Sequence, residues 1–306
     1  MRIGISITSR HAGAGPTVAV ANVLARAKVA AEAGLDHLSL GDHHSNGLDD
    51  NYVQNVPMVG RMMADWPADR SIGALFLLPL WNPVLVAEQV GTLAAMSKAP
   101  FVLQTGIGWG EADFAAMGAC LADRGRHTDE SIKVIKSLLG GGVADSEMLN
   151  VVGASISPRP PRPVEWWIGS GTGDVPLRRA AREGDAWYAS PGLTAVDLAE
   201  AIVRYRGFCA EYGTTPRVAL RRDILVGRND SETVEQGRAM ISAGYRGLGE
   251  NQLMFGGVDR VTERLSELAE LGVDDFVIRT MNVSQPQALE SIALTGEVRE
   301  AVNGDD

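Results

Sequence analysis

Cysteine and basic charge are both scarce in this chain of 306 residues. Its two cysteines, Cys120 and Cys209, are far apart in sequence, so they suggest buried free thiols rather than a disulfide framework or a zinc site. The formal net charge is -10, and arginines occur as isolated pairs such as Arg178-Arg179. Because no basic stripe is present to neutralise phosphates, the composition argues against nucleic acid as a partner.

Long apolar runs are missing as well. No stretch approaches the roughly 20 residues of a membrane span, and Met1-Arg2 leads into a strand pattern rather than a signal peptide. We therefore expect a cytoplasmic protein with a small-molecule substrate and no membrane partner. The 45% hydrophobic and 22% charged content is that of an ordinary globular chain. Its length suits one α/β barrel domain over residues 1–306.

The chain alternates apolar strands with amphipathic helices. The junction at Gly34, where a helix ends and a short apolar strand follows at once, recurs as Leu271-Gly-Val-Asp-Asp-Phe-Val-Ile278. Asn82-Pro83 has the form of a helix N-cap followed by a first-turn proline. We predict eight strands, each but the last followed by a helix, at 2–8, 36–41, 71–78, 101–107, 164–168, 186–189, 218–226 and 275–279.

This count predicts a (β/α)8 TIM barrel. A doubly wound open sheet is the alternative, but it needs a glycine-rich fingerprint after the first strand, and His11-Ala-Gly-Ala-Gly15 is too degenerate to be one. Residues 140–163, rich in Gly, Pro and Ser, predict an irregular insertion between the fourth and fifth strands.

Asp42, His43 and His44 follow the second predicted strand, where a TIM barrel places its chemistry. As an acid–base pair, Asp42 would orient His43, whose pKa near neutrality suits proton transfer. As a structural feature, His44 would cap a loop. As a metal site the segment lacks support, because the remaining histidines have no ligand-like spacing. We rank these hypotheses in that order.

Other candidates follow the remaining strands. Gly169-Ser-Gly-Thr-Gly173 is either a cradle for a phosphate before a helix or a loose turn. Trp81 and Trp109 would stack on a flat ring or simply pack at the mouth, and Glu111 is a second carboxylate or a solvated one. Gly106 and Gly108 lie at the end of the fourth strand.

Several stretches, in this order, resemble the bacterial luciferase-like superfamily. They include Ala33-Gly-Leu-Asp-His-Leu-Ser-Leu-Gly-Asp-His43, Asn82-Pro-Val-Leu-Val-Ala-Glu-Gln-Val-Gly-Thr-Leu-Ala-Ala-Met-Ser97, Phe101-Val-Leu-Gln-Thr-Gly-Ile-Gly-Trp109 and Pro161-Arg-Pro-Val-Glu-Trp-Trp-Ile-Gly-Ser-Gly171. The resemblance implies a barrel that binds FMN or the deazaflavin coenzyme F420 at its strand ends. Because members with Asp-His after the second strand look like deazaflavin users, Asp42-His43 points to F420.

The resemblance also implies roles for individual residues. His43 would be the proton donor or acceptor, Asp42 would support it, and His44, Trp81, Trp109 and Glu111 would face the substrate. Cofactor contacts are implied at Leu75, Phe76, Gly106, Gly108, Gly169, Ser170, Gly171 and Thr172. A non-proline cis peptide behind the ring would fall near Leu75-Phe76.

The chain departs from sugar-phosphate dehydrogenases of this type. Gly47 or a neighbour stands where they have tryptophan, and Trp109 and Arg10 stand about where they have acidic residues, so a sugar phosphate is doubtful as substrate. We expect an F420-dependent oxidoreductase acting on a small organic molecule. The alternatives are an FMN-dependent monooxygenase and a non-catalytic flavin-binding barrel. The family resemblance further implies a homodimer.

Overall fold

A computed structural model describes residues 1–45 and 50–304, so Gly47 lies outside the described residues. The strands are β1 (Arg2–Ile7), β2 (Arg10–Ala12), β3 (His37–Leu40), β4 (Asp50–Tyr52), β5 (Ser71–Leu77), β6 (Phe101–Gly106), β7 (Ala144–Ser146), β8 (Val151–Ala154), β9 (Glu165–Ser170), β10 (Ala186–Ala189), β11 (Val218–Val226), β12 (Leu253–Gly256) and β13 (Asp275–Thr280). The helices are α1 (Pro16–Glu32), α2 (Asn55–Met62), α3 (Pro83–Met96), α4 (Glu111–Ala116), α5 (Arg124–Leu139), α6 (Asp174–Glu183), α7 (Ala195–Tyr212), α8 (Asp230–Ser242), α9 (Val258–Glu270) and α10 (Gln285–Asn303).

Eight parallel strands close into a barrel in the order β1, β3, β5, β6, β9, β10, β11, β13. Pairing of Trp187 in β10 with Val218 in β11 joins the two halves, and Arg2 in β1 pairs with Asp275 in β13. The eight strands are those that the sequence predicts, so the (β/α)8 fold is confirmed and the doubly wound alternative is wrong.

Helix boundaries also agree with local sequence signals. The Asn82 side chain accepts hydrogen bonds from the backbone N–H groups of Val84 and Leu85, at 2.9 and 3.3 Å, and Pro83 starts α3. Gly34 has a φ of 77°, the left-handed conformation that ends α1 and turns the chain into β3.

Three expectations need correction. The last strand does lead into a helix, α10, because Pro286 in its first turn and the buried Ala288 and Ile292 favour one. Residues 140–163 are partly regular, since β7 and β8 pair as an antiparallel hairpin. The Leu75–Phe76 peptide is trans: among the described residues the cis bond precedes Pro158, and β5 keeps a regular ladder with β6 through this point.

The barrel has an interior core distinct from the layer between barrel and helices. The interior core contains Val102, Trp167, Tyr188, Ala219 and Val277. Strand side chains alternate in direction, so their neighbours face outward and pack against the helices. The apolar strand runs that the sequence shows are explained by burial on both faces.

An ionic layer closes the amino-terminal end of the barrel. Arg2 and Arg217 both contact Asp275, at 2.6 and 2.7 Å, and both contact Glu165, at 3.1 and 2.7 Å. Burial raises the pKa of each carboxyl, although the neighbouring arginines oppose the shift. The ionic layer and the interior core fill this end of the barrel. The open end is therefore the one at the carboxyl ends of the strands.

Candidate active site

The carboxyl ends of the barrel strands form the mouth, and Asp42 is a buried carboxylate there. It is 2% exposed. Its Oδ2 accepts hydrogen bonds from the backbone N–H of Leu77, at 2.7 Å, and from Nε1 of Trp81, at 2.8 Å. Asp42 therefore ties the end of β3 to the end of β5.

The carboxylate of Asp42 faces His44, not His43 as expected from the sequence. Nε2 of His44 lies 3.1 Å from Oδ1 of Asp42. The two groups form an ion pair when His44 is protonated. Asp42 therefore raises the pKa of His44 above its usual value, although burial opposes the shift. Residues two apart in an extended chain share a side, which is why Asp42 and His44 meet.

His43 points the other way, toward the mouth. Its ring packs on Tyr52 with centroids 4.6 Å apart, and its carbonyl accepts from Nε2 of Gln54 at 3.1 Å. The side chain is exposed to solvent, yet protein surrounds it on most sides. This burial lowers the pKa of His43 to about 4, with Asp42 opposing and nearby arginines adding to the shift. Water still reaches the ring, so the direction of the pKa shift matters more than its size. A lowered pKa means that the imidazole is uncharged at neutral pH.

A second polar cluster at the mouth centres on Asp223, which no sequence argument singled out. Its Oδ2 accepts from the hydroxyl of Tyr245 at 2.8 Å, from Arg246 at 2.7 Å and from Arg279 at 2.9 Å. Burial alone would raise the pKa of Asp223, but the arginines outweigh it and lower the pKa. The carboxylate therefore stays ionised and fixes two cations.

Arg221 adds a third cation that has no partner. It makes no hydrogen bond or ion pair with any residue that the structure describes, and its Nε is buried. With Arg246 and Arg279 sharing the carboxylate of Asp223, this part of the mouth has more positive than negative charge. A sequence signal was available, because Arg221, Arg222 and Asp223 are consecutive charged residues in a strand whose other residues are apolar, and Arg221 and Asp223 share one side of it.

The loop after β9, which was predicted as a phosphate cradle or a loose turn, consists of small residues with an open backbone. A Cβ at Gly169 would lie 2.1 Å from the carbonyl oxygen of Thr105, so glycine allows β9 to approach β6. At Gly171 nothing lies within 4 Å of an added Cβ, so the backbone is open. Gly173 is the N-cap of α6 and provides no side-chain cap, so the N–H groups of Asp174 and Val175 are left for an anion, with the Asp174 carboxylate in the same turn. Ser170 donates to the Gly171 carbonyl at 3.1 Å, and Thr172 completes this loop.

The other cofactor candidates occupy β5 and the turn after β6. Leu75 is half-buried and packs with the barrel core, whereas Phe76 is fully buried and faces outward against Trp81. Gly106 ends β6. Gly108 has a φ of 67°, and a Cβ there would lie 2.8 Å from the ring of Phe114. Phe76 can therefore approach a ligand in the barrel through its backbone only.

The proposed substrate-facing residues divide into two groups. His44 and Trp81 pack edge-on at 5.4 Å beside Asp42, so they build the wall of the site. Trp109 is 88% exposed, and Glu111 is the exposed first residue of α4. Within residues 1–45 and 50–304 there is no group of three or more His, Cys, Asp or Glu side chains placed to hold a metal ion.

The family model described as luciferase-like monooxygenase matches residues 1–289, and the chain belongs to this family. Its fold, a closed barrel of eight parallel strands, is the TIM barrel. Among the helices described, none has the length and apolar character needed to cross a membrane.

Curated relatives match part of the chain. An uncharacterized protein of Mycobacterium tuberculosis is 33% identical over 140 residues, covering 45% of this chain and 48% of that protein. An F420-dependent glucose-6-phosphate dehydrogenase of Amycolatopsis mediterranei is 29% identical over 177 residues, covering 53% and 51%. The chain spans about half the length of the curated relatives it matches.

Solved structures share the whole fold at low identity. Monooxygenase RslO1 from Streptomyces bottropensis has a TM-score of 0.81 at 13% identity, covering 97% of this chain and 98% of that one. An F420-dependent secondary alcohol dehydrogenase with an F420-acetone adduct has a TM-score of 0.80 at 16% identity, covering 99% of both. A type II Baeyer-Villiger monooxygenase from Pseudomonas putida with FMN has a TM-score of 0.77 at 16% identity, covering 97% of both.

Proposed function

We propose that this protein transfers a hydride between coenzyme F420 and a small organic substrate, with His43 handling the accompanying proton. The observation that carries the proposal is an uncharged, solvent-reached imidazole at the end of β3, directly after a buried aspartate. Family members with an Asp-His pair after the second barrel strand look like deazaflavin users, and Asp42-His43 matches that pattern. The F420-dependent relative of Amycolatopsis mediterranei supports the same cofactor.

The residues present fit an anionic planar cofactor. The loop of Gly169, Ser170, Gly171 and Thr172 would hold its phosphate at the start of α6, where small residues leave backbone N–H groups accessible. The excess of arginine over carboxylate on the β11 and β13 side would favour a negatively charged ligand. When bound, the deazaflavin would supply a two-electron hydride donor or acceptor.

The chain's own residues would manage the proton and the geometry. An uncharged His43 is the form that accepts a proton, so at neutral pH it would take one from a substrate hydroxyl. Asp42 would act indirectly, because it holds Leu77 and His44 in place rather than touching the His43 ring. The paired ends of β3 and β5 would thus keep the strand from which His43 projects in register.

The test is cofactor titration followed by turnover. Quenching of the six tryptophans should report binding of F420 at lower concentration than FMN. His43→Gln should retain F420 binding and lose about 10²–10⁴-fold in rate, the usual range for general acid–base catalysis. A screen of alcohols would identify substrates.

Two results would overturn the proposal. Tight FMN binding with no response to F420 would favour an FMN-dependent monooxygenase on the same fold. A His43→Gln enzyme with full activity on an identified substrate would remove the proton role. For a base with a lowered pKa, activity should hold through neutral pH and fall as the pH approaches the pKa of about 4.

A further inference from the structure

A cavity of about 310 Å³ lies beside the mouth, between the segment after β1 and the turn from β13 into α10. Its volume is at the lower end of the range for small-molecule sites. The polar side chains around it include Thr8, His11 and Arg26 on one side and Asn282, Ser284 and Gln285 on the other. No aspartate or glutamate is among the described residues that line it.

Arg26 is the central feature of this cavity. It is 6% exposed, and no carboxylate of the described residues lies within ion-pair distance of it. Its Nε donates to Oε1 of Gln285 at 2.8 Å, and Gln285 is fixed in turn by donating to the carbonyl of Asn22 at 3.2 Å. Burial, with some help from Arg279, lowers the pKa of Arg26 to about 10.

A comparison with Arg222 shows what Arg26 lacks. Arg222 is 1% exposed and also has no carboxylate of the described residues within ion-pair distance, but its two terminal nitrogens donate to the carbonyls of Pro191 and Leu193 at 2.7 and 2.6 Å. Arg26 has one bond to a side-chain amide. The remaining donors of Arg26 are not fully enclosed and reach the cavity, where an anion would stabilise this poorly solvated guanidinium.

Two further groups at the cavity are also without partners. The hydroxyl of Thr8 and Nε2 of His11 are buried and make no hydrogen bond with the described residues. Both residues are 7% exposed. α10 begins at this cavity without a side-chain cap from Ser284. Pro286 has no N–H, so the N–H groups of Gln285 and Gln287 and the positive dipole end are available.

We propose that this cavity, which we name the Arg26 pocket, is a binding site for a phosphate group, separate from the loop after β9. A phosphate has enough acceptor oxygens to engage Arg26, Thr8 and the start of α10 together. His11 adds a donor when its Nε2 carries a hydrogen. The phosphate comes either from a small phosphomonoester or from free inorganic phosphate. The inference does not depend on which redox cofactor the enzyme uses.

The test is calorimetric titration of the cofactor-free protein with inorganic phosphate and with glycerol phosphate, at matched ionic strength. Arg26→Gln should weaken phosphate binding about 10- to 100-fold, the loss expected for charge-assisted hydrogen bonds. Arg26→Lys should retain much of the affinity because it keeps the charge. Tighter binding of glycerol phosphate would identify a phosphomonoester as occupant, and tighter binding of inorganic phosphate would identify the free ion.

Matched variants separate this pocket from the β9 loop and from a folding defect. Gly171→Asp places a negative charge in open space at the β9 loop and should leave the Arg26 pocket unaffected. In phosphate-free buffer, Arg26→Gln should be at least as stable to urea as the wild type. Phosphate binding that survives Arg26→Gln but is abolished by Gly171→Asp would overturn the proposal, as would no phosphate binding to the wild type.

Discussion

Replacing Asp42 tests the arrangement that distinguishes this mouth most sharply. Asp42→Ala leaves the buried N–H groups of Leu77 and Trp81 without an acceptor. At about 2 kcal/mol for each buried donor, the variant should lose about 4 kcal/mol of unfolding free energy. Asp42→Asn still offers an oxygen to both donors, and weakening each bond by about 1 kcal/mol gives a loss of about 2 kcal/mol.

The same substitution predicts a pH dependence through His44. The folded protein raises the pKa of His44, so its pairing with Asp42 stabilises the fold fully below the unfolded pKa. That contribution is lost as the pH rises through the folded pKa. The stability difference between wild type and Asp42→Asn should therefore be larger near about pH 6 than near about pH 9.

The assay is urea unfolding followed by tryptophan fluorescence at several pH values. His44→Gln in the Asp42→Asn background should add little, because the interaction is already gone. The stability difference caused by Asp42→Asn should keep its pH dependence in a His43→Gln background, because the titration of His43 contributes to both proteins compared. The reasoning fails if His43→Gln, rather than His44→Gln, removes the pH-dependent part. It also fails if Asp42→Asn and Asp42→Ala are equally destabilising at every pH.

Three further predictions concern the rest of the mouth. Gly169→Ala should destabilise the fold strongly in urea unfolding because its Cβ would meet a carbonyl oxygen at 2.1 Å, whereas Gly171→Ala should stay within about 0.5 kcal/mol of wild type. Arg221→Met removes an unpaired cation, so NMR titration should show the pKa of His43 rising from about 4 without loss of stability. Asp223→Ala should cost about 3–5 kcal/mol of unfolding free energy because two arginines lose their carboxylate.

Each of these has a contrary outcome. Equal stability of Gly169→Ala and Gly171→Ala would mean that β9 and β6 can separate without cost. An unchanged titration of His43 in Arg221→Met would place the arginine outside its electrostatic range. A fully stable Asp223→Ala protein would show that water satisfies Arg246 and Arg279.

The barrel was predictable because its signals are local. Apolar runs with glycine or proline at their ends gave each barrel strand, and Asn82 with Pro83 gave the start of α3. β7 and β12 were not predicted, because their three or four residues contain too little pattern. β3 and β10 are equally short, but the glycine junctions at Gly34 and Gly184 marked them. The conformation of β7 and β12 depends on the partner strand that they meet.

The candidate site was predictable in position but not in connectivity. Sequence placed Asp42, His43 and His44 at a strand end, yet their partners depend on which side of the extended chain each residue faces. Asp223 and Arg26 were missed because their partners lie far along the chain, at Tyr245 and Gln285. Such long-range polar contacts leave no periodic signal in the sequence.

The ionic layer of Arg2, Glu165, Arg217 and Asp275 has a kinetic consequence. Because that end of the barrel is closed, a cofactor and a substrate that both bind inside it would enter through the same mouth. The one that lies deeper must arrive first and depart last. We therefore expect steady-state kinetics with a compulsory order of addition rather than a random one.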